Sequence, residues 1–304
     1  MKKHLKKIIA IGFIFILGSH GVFAQKKQPS AQKKRLEVFA KKKQHELMLY
    51  GGGGLSTLKY DVSIGKQKNG FGGQVGFGYN YSFIPQLSLR TGIEFSFHNA
   101  AFTLDNTNLI YNTIDIENTP FEFRCKMDNY REKQNLILFQ IPLMLQFQVG
   151  TIHQFYAAVG GKLGIPLSAK YNSSETTIYN SGYYAEEDYE YTTQRFMGFG
   201  RFSGNEGKLN FKTTTFIASV EAGAKWLMGD GYRFYTGVFL DYGLNNMLNQ
   251  SPTPPLFLNY NASQPSDFTV NSILESQYTQ NDDLKRFANK VIPVSAGVKL
   301  VLGF

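Results

Sequence analysis

Leu87-Ser88-Leu89-Arg90-Thr91-Gly92-Ile93-Glu94-Phe95-Ser96-Phe97-His98 alternates without a break. Leu87, Leu89, Thr91, Ile93, Phe95 and Phe97 fall on one side of an extended chain, and Ser88, Arg90, Gly92, Glu94, Ser96 and His98 on the other. A period of two is a strand signature, because successive Cβ atoms point to opposite faces; a helix would mix the two sets. The apolar side carries no charge and the other side carries two charges of opposite sign.

Seven further segments divide in the same way: 46–56, 71–83, 136–149, 155–168, 216–226, 233–244 and 291–304. Over all eight, the apolar face has 51 positions and not one Asp, Glu, Lys or Arg. The opposite face holds 13 glycines and nine charges: Glu46, Arg90, Glu94, Lys162, Glu221, Lys225, Arg233, Asp241 and Lys299. A water-soluble barrel or sandwich turns its apolar face inward and needs a well-charged exterior. Here that exterior would be glycine-rich and sparsely charged. Small residues suit instead the crowded interior of a narrow barrel. The apolar face is therefore expected to meet lipid, with its Phe and Tyr residues and Trp226 forming interfacial girdles. Closure into a barrel would satisfy every main-chain polar group without water.

The connections support this. Long segments at 57–70, 99–135, 169–215 and 245–290 alternate with tight turns near 84–86, 150–153 and 229–232. The expectation is an all-β, eight-stranded antiparallel transmembrane barrel of up-and-down topology, with four long outer loops and short periplasmic turns.

The formal charge of +9 is confined to the N-terminus. Residues 1–24 carry four lysines and no acid, and 25–44 carry eight cations against Glu37, which leaves 45–304 two charges negative. A nucleic-acid partner needs a basic face on the folded domain, and none is expected here. Residues 1–24 combine a lysine-rich start, an apolar run from Ile8 to Leu17 and Gly21-Val22-Phe23-Ala24 ahead of Gln25. That is the pattern of a cleaved secretory signal, and the run is too short to span a bilayer comfortably. The domain reading is thus signal 1–24, basic periplasmic segment 25–44 and barrel 45–304, located in the bacterial outer membrane after export. The basic segment reads as a solvated tether.

The signal ending Phe23-Ala24-Gln25, the run Gly51-Gly52-Gly53-Gly54, the hairpin segment Gly76-Phe77-Gly78-Tyr79-Asn80-Tyr81 and the last strand Pro293-Val294-Ser295-Ala296-Gly297-Val298-Lys299-Leu300 ending in Phe304 carry a resemblance. The mature chain resembles the PorT-like family of small outer-membrane β-barrels and, more loosely, the OmpX and OmpA barrels. In such proteins a terminal aromatic is part of the signal read by the barrel-assembly machinery, a role the resemblance implies for Phe304. Some PorT-like proteins take part in a protein-secretion system, which the resemblance offers as an alternative role.

For function, the nine inward charges are expected to pair and plug the lumen, since an ionised group in a narrow low-dielectric space is costly alone. A conduction path would favour rings of a single sign. The third outer loop carries Tyr179, Tyr183, Tyr184, Tyr189 and Tyr191, rigid amphipathic groups expected to contact an envelope protein or glycan. His98, inward-facing near the outer rim, is the candidate general base of an enzyme alternative, with Asp61, Asp105 or a loop acid as partner. No HExxH, GxSxG or P-loop pattern accompanies it, and Gly204-Asn205-Glu206-Gly207-Lys208 lacks the phosphate-cradle spacing. Cys125, the single cysteine, excludes a disulfide scaffold and a cysteine-built metal centre. No catalytic residue, metal or cofactor is expected. The expected role is structural or interactive, with a narrow-channel transporter as a further alternative.

Overall fold

The computed structural model describes residues 44–304, apart from 106, 151–152, 229–230, 268 and 281–282. The expected signal 1–24 and, but for Gln44, the basic segment 25–44 lie outside the described residues. Eight long strands form the body: β1 (His45–Val62), β2 (Phe71–Ile84), β3 (Leu87–Leu104), β4 (Tyr130–Gly150), β5 (His153–Asn172), β6 (Thr215–Leu227), β7 (Arg233–Gly243) and β8 (Ala288–Gly303). Each pairs antiparallel with the next, and β1 closes the ring against β8, with Tyr50 opposite Gly76 of β2 on one side and Val301 of β8 on the other. Closure removes both sheet edges, as a strand assembly in lipid requires.

The outward rows of the lower barrel are apolar and uncovered: Leu47, Phe77, Leu145, Val159, Val238 and Val298 are all about half exposed or more. The inward rows are buried and polar. Glycines make room for the lumen aromatics. A Cβ at Gly76 would stand 2.5 Å from Cζ of Tyr50 and 2.6 Å from the carbonyl oxygen of Ile93.

β1, β3, β4, β5 and β8 run on past the lipid-facing rows into segments expected as loop, so the true connections are the shorter 63–70, 105–129, 173–214 and 244–287. The physical reason is an inversion of polarity. In the upper part of β1, Leu58 and Tyr60 turn inward while Lys59 and Asp61 face out. In β3, Ala100, Phe102 and Leu104 are buried; in β4, Tyr130 is buried while Arg131 is exposed and Lys133 lies half-buried. Below, the surroundings are hydrocarbon outside and charge inside. Above, they are water outside and an apolar core inside.

That core is made by the outer loops. Segments Thr107–Ile114, Pro120–Asp128, Thr177–Tyr184, Tyr189–Tyr191 and Gly200–Ser203 form a separate five-stranded sheet. One face of it, with Phe121, Phe123, Cys125, Met127 and Ile178, packs on Phe102, Tyr130, Phe199, Phe257 and Phe287. The last loop folds inward rather than hanging free: Phe257, Leu258, Ile273 and Leu274 are buried. The first turn of the sheet follows from local chemistry. Asp115 Oδ1 accepts hydrogen bonds from the main-chain N–H groups of Glu117 and Thr119, both at 2.9 Å, and Asn118 adopts φ 63°.

Candidate functional site

All nine inward charges are buried, and seven ion pairs join them among the described residues. Strand alternation puts them in the lumen, and register decides who meets whom. Toward the turn end, Glu46 receives Lys225 and Arg233, each at 3.2 Å, and the Tyr235 hydroxyl at 2.8 Å. Farther up, six groups form a chain of strictly alternating sign. Arg90 meets Glu221 at 2.5 Å, Glu221 meets Lys299 at 2.6 Å, and Lys299 stands 3.9 Å from Glu94. Glu94 meets Lys162 at 2.7 Å, which reaches Asp241 at 2.9 Å. Neutral groups fill the gaps: Gln146 accepts from Arg90 (3.1 Å), Ser219 donates to Asp241 (2.5 Å), and Lys299 lies 4.0 Å from the ring centroid of Tyr50. Alternation lets each charge offset its neighbours where an isolated one would be costly.

Next along the strands lies His98. Its Nδ1 is 3.0 Å from Ser56 Oγ and its Nε2 3.1 Å from Ser96 Oγ. The Ser56 hydroxyl donates to the carbonyl oxygen of Phe97 at 2.9 Å, so its proton is already committed. Ser96 accepts from Gln140 at 2.9 Å. Neither Asp61 nor Asp105 forms the expected pair with His98. Asp105 is an exposed group 3.8 Å from Lys66, and His98 is buried beneath the cap.

Above this, Glu132 is fully buried on β4. It accepts hydrogen bonds from the Tyr130 hydroxyl (2.9 Å), Gln134 Nε2 (2.8 Å), Ser272 Oγ (2.6 Å) and the Ile273 main-chain N–H (3.0 Å). No ion pair reaches it among the described residues. Burial pushes its carboxyl above the usual carboxylate range, although the donors pull the other way. Two of these donors belong to the last outer loop, so Glu132 pins that loop to the barrel. Sequence reasoning missed it. The available signal was the inverted alternation, with Tyr130, Glu132 and Gln134 on one row between Arg131 and Lys133.

The five tyrosines divide. Tyr179 and Tyr189 are exposed, and Tyr183 and Tyr191 are half-buried. Tyr184 corrects the expectation: it is 4% exposed, stacks on Phe121 at 5.0 Å and donates to Asp115 at 3.1 Å. Strand alternation turns it into the core. Tyr179 lines an open groove of about 460 Å³ on the outward side of the loop sheet, together with Ile110, Arg124, Lys126, Glu190 and Arg201. Cys125 is buried, its thiol pushed up by burial. At the other end of the molecule, the Phe304 main chain exchanges hydrogen bonds with Leu47 at 2.9 and 3.3 Å, and its ring packs edge-on against Tyr232.

Residues 23–249 match the family described as "Outer membrane protein beta-barrel domain". The match ends before β8, which the strand ladder itself supplies. No curated protein matches the chain. Similar solved structures include Ail, the attachment invasion locus protein of Yersinia pestis, in complex with the heparin analogue sucrose octasulfate (10% identity, 86% of this chain and 100% of that one, TM-score 0.32). A major outer membrane protein of Thermus thermophilus gives 10% identity over 86% of this chain and 99% of that one, with a TM-score of 0.34. OprG of Pseudomonas aeruginosa gives 10% over 88% and 98%, with 0.35. Scores this low leave the architecture to be judged from the ladder and the family match.

Proposed function

This chain belongs to the outer membrane protein β-barrel domain family and resides in the bacterial outer membrane, and from that premise we propose that it is a sealed, non-catalytic barrel that displays a folded outer cap to an envelope protein or glycan. The observation that carries the proposal is the lumen itself: nine buried charges paired in alternating sign, beneath a cap with its own apolar core. A pore needs a continuous wet path, and eight strands leave an interior only wide enough for side chains. The hydrogen bonds of His98 support positioning rather than catalysis, since the Ser56 proton is committed to the Phe97 carbonyl and the imidazole itself is buried. The resemblance to PorT-like barrels supports placing the cap's contacts in a protein-secretion complex. In-cell crosslinking followed by affinity purification would recover the partner. Phe304, bonded at the seam, is proposed as the end of the assembly signal read during insertion.

Sealing is tested in planar bilayers. Purified full-length protein is expected to give no stable unitary conductance; large, discrete, reproducible steps would overturn the proposal.

A further inference from the structure

Lys170 and Lys208 stand directly opposite one another where the short strand Glu206–Lys208 pairs with the end of β5. Like charges so placed repel, and a sheet normally avoids the arrangement. Among the described residues neither ammonium has an acidic partner within 4.0 Å. The one acid of the short strand, Glu206, stands opposite Asn172, which donates to it at 3.3 Å. Two exposed lysines thus face the same space with nothing anionic between them.

The surroundings say what would fill it. The lysines border an open cavity of about 260 Å³ whose walls include Pro166, Leu167, Ala169, Leu209 and Phe211. Leu167 is 58% exposed and ends the lipid-facing row of β5; Phe216, at the outer end of β6, is similarly uncovered. Lys170 lies three residues beyond Leu167, about 10 Å along the strand. At a strand tilt of about 40° that is a rise of roughly 7 to 8 Å, the depth of the headgroup layer above the hydrocarbon. The site is cationic at the level of headgroups and apolar at the level of acyl chains.

We propose that Lys170 and Lys208 clasp the phosphate of an outer-leaflet lipid, whose acyl chain lies along Leu167. The proposal rests on the lipid-facing reading of the outward rows. It does not depend on the sealed lumen, so its failure and a positive conductance result are separate outcomes. Phosphate suits the site because its several oxygens can accept from two ammonium groups at once.

The test uses full-length protein in phosphatidylcholine nanodiscs doped with phosphatidate, with the phosphatidate retained by the protein measured by native mass spectrometry. Wild type is expected to enrich phosphatidate, and Lys170→Gln with Lys208→Gln to lose about thirtyfold of that preference. Lys66→Gln with Lys68→Gln, the same charge change elsewhere on the rim, is expected to retain it. Equal loss in both double variants, or none in either, would overturn the site. Complete displacement of phosphatidate by inorganic phosphate would overturn its assignment to a lipid. Should the double variant fold poorly, Lys208→Gln alone, on a short strand outside the closed ring, repeats the measurement.

Discussion

Glu221 is buried and holds two cations, Arg90 and Lys299. Removing its charge leaves an uncompensated cation in a low-dielectric space, so Glu221→Gln should destabilise the barrel by about 3–5 kcal/mol. The shift in thermal unfolding, followed by the mobility of unheated samples in detergent gels, measures it; an unchanged midpoint would mean the chain of charges is not coupled. Glu132 makes a different prediction because it lies above the lipid-facing rows and lacks a cation. Its folded pKa is raised by burial, so the stability it lends the cap is fully present below the ordinary carboxylate value, about 4.3, and is lost as pH rises through the raised folded value. Hydrogen exchange at Ile273, corrected for its intrinsic pH dependence, should therefore report easier cap opening as pH increases, and Glu132→Gln should flatten that profile. All nine lumen charges were legible from alternation alone, since the face a residue occupies follows from its parity. Which charge meets which was not, because the pairing crosses from one wall to another.

The strands show the same division. Their lower halves follow from one rule, apolar out and polar in, and the expected segments agree with the observed ones to within a few residues there. Their upper halves obey the opposite rule and read as loop in the sequence, because a change of solvent along one strand breaks the pattern used to find it. The loop sheet is the extreme case: its short strands alternate against a core supplied by three different connections. Tyr184 and Tyr189 separate these environments. Tyr184→Ala should cost the cap about 3–5 kcal/mol, as for other large buried aromatics, while leaving exchange in the barrel ladder unchanged. Tyr189→Ala, at an exposed position, should change stability by no more than about 0.5 kcal/mol. Local exchange across 120–128 and 177–184 distinguishes the two, and equal effects would refute the division.

The molecule presents three zones in order along its axis: a turn end with an aromatic fringe, a lipid-facing wall around paired charges, and a water-facing cap around an apolar core. Trp226, the single tryptophan, marks the first boundary. It is partly exposed, packs against His153 at 5.1 Å, and donates from Nε1 to Thr236 Oγ1 at 3.2 Å. An indole with an apolar body and a polar handle belongs at an interface. In proteoliposomes its fluorescence should be quenched most by lipids brominated near the headgroup and least by those brominated at chain ends. The reverse order would place this end of the wall at the wrong depth.

The order of residues was enough to place this chain in a membrane as a closed ring of eight strands, because lipid outside and a crowded lumen inside act on every second residue and leave a periodic trace. The ion-pair chain, the burial of Tyr184, the pinning role of Glu132 and the facing of Lys170 and Lys208 depend on contacts between segments far apart in the chain. Such contacts are fixed by strand register and by loops packing over the mouth, and neither leaves a period to read.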